Sequence, residues 1–338
     1  MSVDDVRWFA PNRYCALPVP GLRGMGLRIA CDGRAPARLA FAADNQCVTE
    51  AYEYASHSGC PLAIYLWDLP PWRLAEGRPD LVFELFGRVR RVVRPFGGYP
   101  ERSGFYSRIR WVARRAAGVW CPSTATALDV TSRFGVKAEV VPFCYDSDRF
   151  TPAHRGAGVR PPGRPAVILS VSRLVPHKNH AVVLLAAARC TPRPAVRIVG
   201  HGPEAPKLRA LADRLGVSLE LAGAWVSSDE VVAAYRSADV VVAPSRFEGL
   251  GLTPIEALAC GTPAIASDIP PHRELLEDRV TYFPPDDPDA LAAALSARLA
   301  NPELAAESPP GRSPFPELTI EACARRLFPR LTEAAGAR

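Results

Sequence analysis

The absences in this 338-residue chain narrow its possibilities first. No apolar run reaches the roughly 18–20 residues needed to span a bilayer. The opening Met1-Ser2-Val3-Asp4-Asp5 is acidic and lacks the basic-then-apolar layout of an export signal. Among nine cysteines (Cys15, Cys31, Cys47, Cys60, Cys121, Cys144, Cys190, Cys260 and Cys323) there is no C-x-x-C pair. Structural zinc wants ligands paired at short spacing, and an odd count without an export signal favours free thiols used as small hydrophobes. The net charge of +6 forms no dense basic patch interleaved with aromatics, so no nucleic-acid module is legible. A soluble, cytoplasmic globular protein is expected, with 48% hydrophobic and 22% charged residues and length enough for two domains.

The second half alternates strand and helix. Val167–Val171 is a continuous apolar run, as a strand buried on both faces requires. Further strands are predicted near Ala195–Val199, Val217–Leu221, Asp239–Ala243 and Pro263–Ser267. Helices are predicted over Asn179–Arg189, Pro203–Leu215, Ser228–Ser237, Thr253–Cys260 and Pro271–Glu277. Strict alternation means right-handed crossovers and a parallel, doubly wound sheet. The first half shows the same grammar more faintly, with strands near Val6–Ala10, Leu62–Leu66, Val119–Pro122 and Val140–Pro142 and a helix closing over Ala51–Ser58. The Pro/Gly-rich stretch Pro152–Pro165 reads as a linker. Domains are therefore expected at 1–150 and 165–300, with a C-terminal helix at 317–335 returning to the first. Two such domains place a ligand in the cleft between them, outside the strand ends.

The strongest chemical signal is Ser245-Arg246-Phe247-Glu248-Gly249-Leu250-Gly251-Leu252-Thr253-Pro254-Ile255-Glu256, which follows a buried strand and opens a helix. Gly249 and Gly251 admit a ligand close to the backbone, and the amides entering the helix suit a phosphate. Two carboxylates, Glu248 and Glu256, would repel that phosphate if they touched it. They fit hydroxyls instead, those of a sugar on one side and of a ribose on the other. Helix-entry acids favoured by the dipole are the plainer reading, but Glu248 precedes the helix.

This stretch resembles the signature of the retaining GT-B glycosyltransferases of family 4, a glutamate, seven residues, then a glutamate. The likeness runs from Glu248 through Ala257, Ala259 and Gly261 to Pro263, and covers roughly residues 118–300. It implies a GT-B fold of two Rossmann-like domains facing across a cleft. It also implies a UDP- or GDP-sugar donor, transfer to an acceptor hydroxyl with retention, no metal and no cofactor beyond the co-substrate. Glu248 would meet the transferring sugar and Glu256 the ribose, with Gly249, Leu250, Gly251 and Leu252 lining the donor. Arg173 and Lys178 resemble the family's pair of cations at the donor diphosphate, which suits a leaving group of about two negative charges. Gly200-His201-Gly202-Pro203 resembles its glycine turn, placing Gly202 at the donor. Trp225 and Val226 fall where the nucleobase is cradled.

The N-terminal half departs from the family. The nearest equivalents of its paired glycines are Gly21, Gly24 and Gly26. Trp67 stands in the place of its histidine before Asp68, which either orients an acceptor hydroxyl or caps a turn. The acceptor stays open: a saccharide, a lipid-linked species or a small molecule. The arginine-rich segment Arg88–Arg115 reads either as a solvated helical face or as contact with an anionic acceptor or membrane surface, which would make the protein membrane-peripheral. Asp146-Ser147-Asp148 and Asp286-Asp287 are declined as metal motifs. Two rivals stay open: a nucleotide-sugar epimerase or phosphorylase on the same fold, and a non-catalytic nucleotide-sugar-binding protein.

Overall fold

A computed structural model describes residues 4–12, 14–31, 36–69, 81–85, 88–92, 100–152, 164–223, 227–301 and 313–336, with residues 4, 81–85, 88–92 and 100–104 as backbone. The chain divides into two units, Met1–Cys144 with Glu317–Arg338, and Tyr145–Pro316.

In the first unit, β1 (Asp4–Phe9), β2 (Ile29–Ala30), β3 (Ala37–Ala42) and β4 (Leu62–Tyr65) are joined by an antiparallel hairpin, β5 (Leu81–Leu85) and β6 (Arg88–Val92), and by β7 (Gly118–Cys121) and β8 (Glu139–Val140). The main sheet runs β2-β1-β3-β4-β7-β8, all parallel. Side chains alternate across it. Phe9, Ala40, Ala42 and Ile64 form one core with the helices Val48–Ser58 and Pro100–Ala113. Trp8, Phe41 and Trp120 meet in a separate aromatic stack, the first two 4.5 Å apart and the last two 5.4 Å. The Ile320–Gly336 helix packs on β1, β3, β4 and the short Val19–Gly24 helix. At that last contact a Cβ on Gly21 would lie 2.9 Å from Ala324 Cβ, so Gly21 serves a close helix crossing and no phosphate turn.

The basic segment is no single helical face. Arg88, Arg90 and Arg91 lie in strand β6, and Arg108, Arg110, Arg114 and Arg115 lie in or just after the Pro100–Ala113 helix. Tyr106, Ile109 and Val112 of that helix are buried, Arg114 Nε donates to the Phe134 carbonyl, and Arg115 stacks on Trp111. Arg94 lies outside the described residues.

The second unit has β9 (Val167–Val171), β10 (Ala195–Val199), β11 (Leu219–Ala222), β12 (Val240–Ala243), β13 (Ala264–Ser267) and β14 (Thr281–Phe283), in the order β11-β10-β9-β12-β13-β14 and all parallel. The six helices His180–Ala187, Ala205–Leu215, Ser228–Ser237, Leu252–Ala259, Pro270–Leu276 and Pro288–Ala300 alternate with or follow these strands. Two starts show why they lie where they do. Ser227 accepts from the Glu230 amide while Glu230 reaches back to the Ser227 amide, a reciprocal capping box. Asp287 accepts from the Asp289 and Ala290 amides, with Pro288 at the first helical position. The Asp286-Asp287 turn is thus a helix entry. Because β9 pairs with both β10 and β12, the order reverses there, and the connections leaving β9 and β12 diverge at the strands' carboxyl ends. That is the ligand position of a doubly wound sheet.

Candidate functional site

Those two connections bring Lys178 and Glu248 together. Lys178 ends a short 3-10 turn, Pro176–Lys178, after β9, and Glu248 stands in the loop after β12. Lys178 Nζ donates to Glu248 Oε1 at 2.5 Å, and Ser245 Oγ donates to the same oxygen at 2.7 Å. Both charged side chains are largely buried, 14% and 17% exposed. Burial alone would raise the Glu248 carboxyl. The ammonium of Lys178, helped by His272 and the two hydrogen bonds, overcomes that and holds it below the ordinary glutamate range. Glu248 is therefore a carboxylate with its cation already beside it.

A second layer fixes the pair. Arg246 Nε donates to both oxygens of Asp286, at 2.8 and 3.0 Å, and its Nη1 donates to the Pro176 carbonyl. Asn179, buried and left-handed at φ 55°, donates from Nδ2 to the same Asp286 at 3.0 Å. Asp286 thereby ties the Lys178 turn to the Glu248 loop. Arg173 is exposed and makes no ion pair with a described residue. Its loop is held from behind by the glycine turn: a Cβ on Gly200 would lie 1.9 Å from the Ser172 carbonyl oxygen, and one on Gly202 2.4 Å from that of Leu174. Gly202 thus supports the Arg173 loop. His180 Nε2 lies 2.9 Å from Ser172 Oγ, and burial pushes its ring down to about 4, so it is neutral support.

Gly249, Leu250 and Gly251 are buried and lead to Leu252, the first residue of the next helix. Gly251 sits at its N-cap with φ 84°, and no side chain caps that start. A Cβ there would lie 2.7 Å from a ring carbon of His272, so this turn demands glycine twice over. His272 and Ser267 form its floor: Ser267 Oγ donates to the Ser245 carbonyl at 2.5 Å.

Glu256 lies one turn into the helix, buried, and accepts from Tyr235 Oη at 2.8 Å. Burial raises its carboxyl to about 8; the Tyr235 bond eases this and the negative charge of Asp146 adds to it. The two glutamates therefore sit in opposite electrostatic settings. Trp225 and Val226 lie outside the described residues. Tyr235, Asn179, Asp286 and His272 are additions from the structure.

In the first unit, Asp68 follows β4. Asn45 Nδ2 donates to the Asp68 carbonyl at 2.9 Å and approaches its Oδ1 at 3.4 Å, while Asn45 Oδ1 accepts from the Trp67 amide. The Trp67 ring donates to the Ala43 carbonyl and packs 4.9 Å from Phe143. In the second unit, Asp146 pairs with Arg149 at 3.2 Å. Among the described residues no cluster of three or more potential ligands could hold a metal ion.

Both sheets, and the switch-point loops with their paired glutamates, define a GT-B protein. Solved structures agree: the UDP-glucose complex of Anabaena HepE superposes with a TM-score of 0.65 at 16% identity, covering 98% of each chain. A glycosyltransferase from Rickettsia africae gives 0.65 at 13% identity, covering all of both. Residues 157–308, within the second unit, match the family described as Glycosyl transferases group 1. Among relatives, a D-inositol 3-phosphate glycosyltransferase of Geodermatophilus obscurus is 40% identical over 183 residues, 49% of this chain and 41% of that protein. A GDP-mannose-dependent alpha-(1-6)-phosphatidylinositol monomannoside mannosyltransferase of Mycolicibacterium smegmatis is 32% identical over 246 residues, 64% of this chain and 63% of that protein. The chain thus spans less than two thirds of the length of either relative.

Proposed function

We propose that this protein is a retaining, metal-independent glycosyltransferase of family 4. It would move a sugar from a nucleotide diphosphate to an acceptor hydroxyl. The observation that carries the reading is the buried Lys178–Glu248 pair at the switch point of the second sheet, within the family match. Arg173, exposed on the loop after β9, and Lys178 receive the diphosphate as it departs. Two fixed cations do there what a metal does elsewhere. Glu248, an ionised acceptor, faces the sugar, whose anomeric carbon becomes electron-poor as the bond breaks. Glu256 takes the ribose diol, and the Gly249–Leu252 backbone meets phosphate and sugar oxygens. Trp225 and Val226 flank the base. Asp68, oriented by Asn45, holds the acceptor hydroxyl on the first unit.

The relatives' names support a GDP-sugar donor and an acceptor containing inositol, free or lipid-linked, and the HepE complex supports a UDP-sugar as the alternative donor. No helix among the described residues is long and apolar enough to cross a membrane. We place the protein in the cytoplasm, meeting anionic lipid through Arg88–Arg115. Co-sedimentation with anionic vesicles that weakens as salt rises tests that contact. The reaction is tested by incubating the protein with UDP-glucose or GDP-mannose and inositol acceptors, with and without EDTA. Nuclear magnetic resonance reads the anomeric configuration of the product. Inverted product, or turnover lost in EDTA and restored by magnesium, overturns the mechanism.

A further inference from the structure

The ring of His272 lies beneath the Gly251 turn with one nitrogen unsatisfied. Its Nδ1 is 2.9 Å from the Ser267 carbonyl, which only accepts, so Nδ1 carries a hydrogen. Nε2 has no hydrogen-bond partner, although the residue is 1% exposed. A Cβ on Gly251 would lie 2.8 Å from this Nε2 and 3.7 Å from Glu248 Cγ, so the imidazole nitrogen and the Glu248 side chain flank one point of the turn. A buried polar atom without a partner is unfavourable and calls for an explanation.

Lys178 supplies the counter-charge of Glu248 in this structure. If Lys178 turns to a donor diphosphate, as proposed above, Glu248 is left with its charge uncompensated, a strongly unfavourable state in a buried site. The charged groups facing the His272 ring are Glu248, from the loop after β12, and Lys178, from the turn after β9. Burial and Lys178 favour the neutral ring, while Glu248 pulls the other way. From β13 the ring meets the Ser267 carbonyl and its hydroxyl, the latter at 3.3 Å. From β14 the Tyr282 hydroxyl donates to the Glu277 carbonyl and approaches the His272 carbonyl, not the ring, and on its own helix Arg273 is held by Asp268. Moving Lys178 away removes the repelling cation and exposes the ring to an unpaired carboxylate. Both changes favour the imidazolium.

We propose that His272 is a positioning residue: it takes one proton from solvent onto Nε2 when the donor diphosphate draws Lys178 off Glu248, and then holds Glu248 toward the sugar. No covalent bond of the donor changes in this step. It rests on the donor reading given above. Glu256 works in the opposite sense, because ribose hydroxyls donating to it favour its carboxylate and release a proton. The informative quantity is therefore the difference between wild type and His272→Gln.

Isothermal titration of UDP-glucose and GDP-mannose near pH 7, in two buffers of different protonation enthalpy, counts the protons exchanged. A nucleotide sugar is used because its diphosphate diester does not titrate near neutrality. Wild type is expected to take up about one proton more per nucleotide sugar than His272→Gln. Binding with equal counts in both proteins overturns the proton step and leaves the donor reading standing. No binding of either nucleotide sugar to wild type sinks the donor reading, and the proton step with it. If the variant fails to fold, imidazole nitrogen spectra of the wild-type protein decide instead. One buried ring should pass from the neutral Nδ1–H form to the cation on donor addition, and six histidines all unchanged would refute the idea.

Discussion

Glu256→Gln isolates one buried ionisation. An ordinary glutamate titrates near 4.5, whereas burial beside Tyr235, with Asp146 nearby, raises Glu256 to about 8. Between those values the folded protein holds a proton that the unfolded chain has released. Stability contributed by this site is therefore fully present below about pH 4.5, falls as pH rises, and levels off above about 8. Each pH unit is worth about 1.4 kcal/mol, so the wild type gives up on the order of 5 kcal/mol across the window. Glutamine has no such proton, and its carbonyl still accepts from the Tyr235 hydroxyl. For a unit of this size about 1 kcal/mol moves the melting temperature by roughly 2–4 °C. The variant should thus melt close to wild type at pH 5 and on the order of 10–20 °C above it at pH 9. Differential scanning calorimetry of both proteins across that range is the assay. A melting difference independent of pH would show that Glu256 is ionised throughout, and the electrostatic contrast between the two glutamates would be lost.

Arg173→Ala should remove about 2–4 kcal/mol of transition-state stabilisation, read as a roughly 30- to 1,000-fold fall in kcat/KM with EDTA making no difference; a variant of normal activity would remove Arg173 from the leaving-group site. Glu248→Gln should lower kcat far more than it raises the donor KM. It also leaves Lys178 buried without its counter-charge, so the melting temperature should fall as well and rates must be compared per folded molecule; normal turnover would end its assignment to the sugar. Gly251→Ala forces a side chain into a φ of 84° and against the His272 ring, at about 1–3 kcal/mol. Calorimetry should show the lower melting temperature, and thermal shift by UDP-glucose should disappear; unchanged melting would mean the turn is not as tightly packed as described.

The second sheet is legible in the sequence because its central strands β9, β12 and β13 are buried on both faces. Val167–Val171 and Ala195–Val199 coincide with their predicted strands to the residue, and the Ser228–Ser237 helix announces itself by its capping box. The first unit hides its elements for physical reasons. Ala37–Ala42 builds a central strand half from alanine, β2 is two residues long, and the Val19–Gly24 helix contains a proline and two glycines that read as a turn. The spacing of arginines over 88–115 suggests one face, yet it crosses from strand to helix. At the site, Glu248 and Lys178 are readable because a motif holds them. Tyr235 and His272 come from other crossovers, where sequence distance erases any local pattern. Asp286 looks like a solvent-facing turn until Arg246 and Asn179 are seen on it.

The packing of the Ile320–Gly336 helix on β1, β3 and β4 sets an order of events as the chain leaves the ribosome. The strands of the first sheet emerge early, but one helix that covers them follows the whole of Tyr145–Pro316. The later-made unit is a continuous segment and has all its residues before the earlier one does. Until residue 324 appears, the groove at Gly21 has no Ala324 to fill it, and the apolar surface beneath the missing helix stays open to chaperones and proteases. A chain stalled or cut shortly before Glu317 should therefore keep the second unit intact while its N-terminal half is degraded, a pattern that pulse-chase with limited proteolysis would make visible.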